Sequence, residues 1–157
     1  GGGSFVLDTS GAALKPALGE PIFLAKLNHG ELVDLAGAPL EGRDAVIAFA
    51  RDLIGRQRLE NVAVTLGAEG ALLVTRRGVH YSPSPRIDAR SPVGAGDSFL
   101  AALVVGMFNG EPLDRALRIA VCAGAAAASG EGTSLVQPRA AADILKLFER
   151  QLGSAEA

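Results

Sequence analysis

Short, mostly apolar runs alternate with longer segments of helical period, and this alternation points to a layered α/β architecture. Residues 5–8, closed by Thr9-Ser10-Gly11, read as a buried strand and its turn. Residues 22–27, apolar but for Lys26, and 62–66, apolar but for Thr65, read as further strands. Two more strands, 71–75 and 79–82, follow across the turns Gly67-Ala68-Glu69-Gly70 and Arg77-Gly78. Links this short call for antiparallel pairs among the last three strands. Between the strands, residues 12–18 read as a short helix and residues 31–35 begin another. Residues 41–58 carry Val46, Ala50, Leu53 and Ile54 at helical spacing, with Arg51, Asp52 and Arg56 on the other side, the pattern of an amphipathic surface helix.

The second half reads as helical. Residues 96–108 are apolar on every side, so a central, buried helix is expected there. Asn109-Gly110 ends it, and Pro112 is expected at the first position of the next helix. That helix, residues 113–128, holds Leu117, Val121, Gly124, Ala125 and Ala128, and its small residues permit close packing on the preceding one. Pro138 opens a last amphipathic helix with Ile144, Leu145, Phe148 and Leu152 inward.

Composition removes several function classes. A net charge of −2 points to neither nucleic acid nor an anionic membrane as partner. Aromatics make up 4% of the chain and Trp is absent, so a base-stacking platform is not expected. Cys122 is the lone cysteine, which excludes an intrachain disulfide and a Cys-based zinc site and suits a reducing compartment. His29 and His80 are not at metal-ligand spacing. The longest apolar run, residues 99–108, falls far short of the roughly 20 residues a membrane span needs. No signal-peptide pattern opens the sequence. The expectation is a soluble, cytoplasmic protein.

The chemistry concentrates at Gly94-Ala95-Gly96-Asp97, at the mouth of the apolar helix. The first turn of a helix has N–H groups without intrahelical acceptors and the positive end of the dipole. Glycines let an anion approach that backbone, so Gly94, Ala95 and Gly96 suit a phosphate cradle. Asp97 has the wrong charge for a cradle. As a general base it would take the proton of an attacking hydroxyl while the cradle steadies a phosphoryl group. The plainer alternative is an acid that only favours the helix start. No P-loop motif is present.

The stretch Val93-Gly94-Ala95-Gly96-Asp97-Ser98-Phe99 resembles the signature of the ribokinase-like, PfkB-type carbohydrate kinases. The resemblance runs through nearly the whole chain. Lys26-Leu27-Asn28-x-x-Glu31 is similar to the family's K-P-N-x-x-E segment, with Leu27 in place of Pro. It implies that Lys26 and Asn28 approach the nucleotide phosphates and that Asn28 and Glu31 hold Mg²⁺, partly through water. Without the resemblance, Asn28 and Glu31 read as a helix cap. Thr65-x-Gly67-x-x-Gly70 is similar to the family's segment beside the phosphates and ribose of ATP. Val121 and Ala125 are implied to lie against adenine. A monovalent cation, K⁺ by expectation, is implied to be ringed mostly by backbone of Ser91, Val93, Ala127, Gly130, Gly132 and Ser134.

The implied fold is a three-layer α/β/α sandwich of ribokinase type, represented by its C-terminal portion. Ser91-Pro92 and Asp8-Thr9-Ser10-Gly11 resemble the sugar-phosphate kinases of the minor 6-phosphofructokinase kind rather than the ribokinases. Members have roughly twice this length. Residues 1–4 are then a linker or flexible entry, and residues 5–157 carry the nucleotide-binding and catalytic-base part. The sugar-binding half and its lid are expected to precede it, with a homodimer formed through the lid in the full-length protein.

The leading expectation is ATP-dependent phosphorylation of a sugar phosphate, with fructose 6-phosphate the first substrate and fructose 1,6-bisphosphate the product. The chain alone is expected to be inactive. The alternatives are 1-phosphofructokinase, tagatose-6-phosphate kinase, a nucleotide-binding regulatory module without catalysis, and a purely structural domain. His80 is expected to point outward from a strand, Cys122 to be a buried apolar group, and Arg76-Arg77 to be solvated. An exposed loop position is expected for His29, and Arg90 is read as either a phosphate contact or a solvated loop residue.

Overall fold

The computed structural model describes residues 3–9, 13–56, 58–88, 90–91, 93–130 and 138–155. Strands and helices follow the order β1 (Val6–Asp8), α1 (Leu14–Ala17), β2 (Ile22–Asn28), α2 (His29–Ala36), α3 (Gly42–Arg56), β3 (Leu59–Thr65), β4 (Ala71–Thr75), β5 (Val79–Ser82), α4 (Ala95–Phe108), α5 (Leu113–Ser129) and α6 (Pro138–Ala155). A 3₁₀ turn, Gly67–Glu69, joins β3 to β4. The sheet runs β1-β2-β3-β4-β5. β1, β2 and β3 are parallel, and β3 and β4 form the expected antiparallel pair. Among the described residues no helix is long and apolar enough to cross a membrane.

The chain divides into two compact units, residues 1–67 with 71–80 and residues 68–70 with 81–157. In the first, parallel strands buried on both faces must be apolar nearly throughout. β2 and β3 meet this with Leu24, Ala25, Leu27, Val62, Ala63 and Val64 at 0% exposure. One face of the sheet supplies Ala25, Leu27, Val62, Val64, Leu72 and Val74 to a core shared with Leu32 of α2 and Val46, Ala50, Leu53 and Ile54 of α3. The four α3 residues are those the periodicity singled out. Register places the opposite face in rows: Asp8 beside Lys26, Lys26 beside Ala63, and Asn28 beside Thr65.

In the second unit, α4 and α5 pack at contact distance. A Cβ on Gly106 would lie 2.9 Å from that of Ala116, and one on Gly124 would lie 3.0 Å from the Ala95 carbonyl oxygen. The small residues of α5 therefore set the approach, as expected. Pro112 is the N-cap of α5 and not its first helical residue. The expectation of an all-round buried α4 is corrected. Phe99, Leu103 and Gly106 are buried, but Val105 and Phe108 are 58% and 60% exposed. Apolar composition measures what a helix can bury, and only the sides that meet a neighbour are covered.

Candidate active site

In the first unit, the C-terminal ends of β2 and β3 bring together most of the predicted nucleotide-side residues. Asn28, the last residue of β2, is paired in register with Thr65, the last of β3. In open α/β sheets ligands gather outside these carboxyl ends. Asn28 is also the N-cap of α2. Its Oδ1 accepts from the Glu31 N–H at 2.9 Å, and Glu31 Oε2 accepts from the Asn28 N–H at 2.8 Å. This reciprocal capping box satisfies two N–H groups at once. It also clamps an amide oxygen and a carboxylate side by side at the strand end.

Lys26 lies two residues earlier on the same face of β2. Its ammonium donates to Asp8 Oδ1 at 3.1 Å and to Oδ2 at 3.3 Å. The side chains are 11% and 27% exposed, so the pair is largely withdrawn from water. Gly67 lies two residues past the end of β3 and opens the 3₁₀ turn. His29, read from sequence as an exposed loop residue, is exposed but begins α2, and its Nε2 lies 3.1 Å from the Leu40 carbonyl oxygen.

The second unit holds the predicted cradle and base. Gly94 is the N-cap of α4 with φ +77°, a left-handed conformation that a Cβ disfavours. The first intrahelical bond runs from the Ser98 N–H to the Gly94 carbonyl at 3.0 Å. The N–H groups before it, of Ala95, Gly96 and Asp97, therefore have no acceptor within the helix. Asp97 sits in this first turn with its side chain exposed. Gly124 faces the same turn through its approach to the Ala95 carbonyl. Val121 and Ala125, on either side of Gly124 along α5, are 6% and 7% exposed.

Gly70 belongs to this unit and has φ +103°. A Cβ there would fall inside van der Waals contact with the Ser82 carbonyl oxygen and 2.7 Å from Pro83 C and Cα. The chain's own packing requires this glycine. The turn beside it is held by Tyr81, whose hydroxyl donates to the Glu69 carbonyl at 2.7 Å.

The loop before α4 is tied to the end of α5. The Arg90 and Ser91 N–H groups donate to the Ala128 carbonyl at 2.7 and 3.0 Å, and the Val93 N–H donates to Ser91 Oγ at 3.3 Å. This brings Ser91 to the helix end that carries Ala127 and Gly130. Gly132 and Ser134, also expected at the cation, lie outside the described residues. Cys122 is buried as expected, and its thiol is pushed up to about 12, first by burial and then by the nearby Glu149 carboxylate, against the opposing Arg118.

Three positions escaped the sequence reading. From sequence Asp8 is only the end of a strand, Tyr81 only a strand residue, and Ala128 only a helix-packing residue. An acid ending one strand and a lysine near the end of the next was the available signal for Asp8. A cavity of about 430 Å³ in the second unit borders Tyr81, Ser82, Arg118 and Glu149, and none of the predicted site residues lines it.

The sequence model of the pfkB family carbohydrate kinases matches residues 4–140. The chain is 40% identical over 144 residues to the ATP-dependent 6-phosphofructokinase isozyme 2 of Mycobacterium tuberculosis (strain ATCC 25618 / H37Rv), covering 92% of this chain and 41% of that protein. It is 36% identical over 126 residues to the 1-phosphofructokinase of Bacillus subtilis (strain 168), covering 80% of this chain and 41% of that one. Among solved structures, phosphofructokinase-2 from Escherichia coli in complex with potassium superposes with a TM-score of 0.86 at 32% identity. That likeness covers 94% of this chain and 48% of the other, and it bears out the ribokinase-like α/β/α fold class. The chain thus spans less than half the length of these relatives. The chain belongs to the pfkB family of carbohydrate kinases.

Proposed function

We propose that this chain is the nucleotide-binding and catalytic-base part of an ATP-dependent sugar-phosphate kinase. The observation that carries the reading is the start of α4. A left-handed Gly94 turns the chain into a helix whose first N–H groups lack intrahelical acceptors, and an exposed carboxylate, Asp97, stands in that same turn. Phosphoryl transfer needs positioning and charge stabilisation more than covalent chemistry. The backbone of Gly94 to Gly96 receives the phosphoryl oxygens, and Asp97 takes the proton of the attacking hydroxyl. Lys26 and Asn28 meet the phosphates of ATP, Thr65, Gly67 and Gly70 line their approach, and Val121 and Ala125 lie against the base.

The residues present fit the two cations the family implies. Asn28 and Glu31 offer hard oxygen donors clamped together by their capping box. Among the described residues no cluster of three His, Cys, Asp or Glu forms an all-protein cage. Mg²⁺ needs none, because it keeps several waters and takes one or two carboxylates. When bound it neutralises charge on the phosphates. A monovalent cation suits Ser91, Val93, Ala127 and Gly130, where the loop is bonded to the C-terminal, negative end of α5.

Fructose 6-phosphate is the first candidate acceptor, because a relative at 40% identity is named a 6-phosphofructokinase. We assign the acceptor-sugar contacts and a dimer-forming lid to sequence outside this chain, which spans less than half of the relatives' length, and on that reading the chain alone turns over no sugar phosphate. The test measures phosphoryl transfer by the full-length kinase to fructose 6-phosphate, fructose 1-phosphate and tagatose 6-phosphate, with ATP binding to the 157-residue chain alongside. Transfer highest with fructose 6-phosphate and ATP binding by the chain are expected. A chain that binds no ATP, or a full-length protein that transfers to none of the three, contradicts the reading.

A further inference from the structure

Lys26 is the one lysine of this chain drawn into the sheet. It stands on β2 at 9% exposure, on the face opposite the helix-covered core. A lysine withdrawn from water to this degree loses hydration, and a close counter-charge is needed to offset that loss. The register supplies one. Asp8, the last residue of β1, is the in-line parallel partner of Lys26. Both of its oxygens lie within 3.3 Å of Nζ. An ammonium has three N–H donors, and this carboxylate occupies at most two. The remainder is directed by a strand-to-strand contact and not by a flexible loop.

We infer that Asp8 is a positioning residue for the nucleotide phosphates: it holds the Lys26 ammonium in place beside the strand end where Asn28 and Thr65 meet. This rests on the reading of Lys26 as a phosphate ligand. It makes an uncommon demand of electrostatics. Considered as a lone charge, Asp8 repels a nucleotide, and its removal would tighten binding. If its task is to fix Lys26, its removal weakens binding instead. The sign of the effect decides between these two roles.

The experiment measures equilibrium binding of ATP and of AMP to the 157-residue chain and to Asp8→Asn, Lys26→Met and the double variant. Asp8→Asn is expected to weaken ATP about tenfold and to leave AMP within about twofold, because AMP lacks the terminal phosphates. Lys26→Met gives the same selective loss. The double variant is no weaker than Lys26→Met, since residues that act through one contact are not additive. A general loss of structure would weaken both nucleotides, and that result overturns the inference. So does ATP binding by Asp8→Asn that equals or exceeds the parent. A parent chain that binds neither nucleotide overturns the kinase reading itself. Should Asp8→Asn not fold, Asp8→Glu keeps the charge and displaces it by one methylene. An ATP-selective loss of about threefold is then expected, and an unchanged ATP to AMP ratio overturns the inference.

Discussion

Replacing Gly70 by alanine tests whether the turn between β3 and β4 is dictated by the chain's own packing. Gly70 has φ +103°, and an added Cβ would overlap the Ser82 carbonyl oxygen and lie 2.7 Å from Pro83 C and Cα. Every one of these atoms is backbone, so no rotamer change relieves the overlap. Holding alanine at such a φ costs about 1–3 kcal/mol, and overpacking against a rigid neighbour adds about 1–3 kcal/mol. A total of about 4 kcal/mol is the expected loss. Gly67→Ala is the control: its φ is +60°, and an added Cβ meets nothing within 4 Å. Only the left-handed backbone penalty applies there, about 1 kcal/mol. Urea unfolding followed by circular dichroism reads the difference. With a slope of about 2 kcal/mol/M, the midpoint falls by about 2 M for Gly70→Ala and about 0.5 M for Gly67→Ala. Equal midpoints for the two variants would refute the claim that backbone crowding, and not glycine's flexibility alone, selects this residue.

Asn28→Ala removes the capping-box acceptor and should cost about 1 kcal/mol, seen as a small fall in melting temperature. Glu31→Ala should add less than its own single-site cost to that variant, because the two side chains serve one box. The raised Cys122 thiol makes stability pH-dependent in a stated direction. The unfolded thiol ionises near its ordinary value of 9.0 while the folded one stays protonated to about 12. Its contribution is therefore complete below pH 9 and lost as pH rises towards 12. Cys122→Ala should flatten unfolding free energy against pH over that window, and an unchanged slope would place the alkaline sensitivity elsewhere. In the full-length kinase, replacing K⁺ by Li⁺ should lower turnover, and indifference to the exchange would remove the cation from the Ser91 to Gly130 region.

The first unit was largely legible in the sequence because its elements are encoded by local period. Val46, Ala50, Leu53 and Ile54 lie on one face of α3 by spacing alone, and all four are core residues. The short, mostly apolar runs within β2 and β3 are legible as strands. What period cannot show is which neighbour a residue meets. Val105 and Phe108 carry the same apolar signal as Leu103, yet they are exposed and Leu103 is buried. The Asp8–Lys26 pair joins residues 18 apart through parallel register, which no local pattern encodes. At the site, the glycines and the acid of Gly94 to Asp97 were readable because a helix start leaves its donors open wherever it occurs. The tie from Arg90 and Ser91 to Ala128 was not, since it uses backbone groups that every residue possesses.

The central claim is that Asp97 takes a proton and does not merely favour a helix start. The direct measurement is kcat and melting temperature together for Asp97→Asn in the full-length kinase. The amide keeps the shape of the carboxylate but cannot serve as the base. The account predicts a fall in kcat of about 10²–10⁴-fold, with the melting temperature close to the parent's. A variant that melts earlier, as loss of about 1 kcal/mol of dipole stabilisation would produce, yet turns over at the parent rate below its melting point would contradict it and leave Asp97 a structural residue.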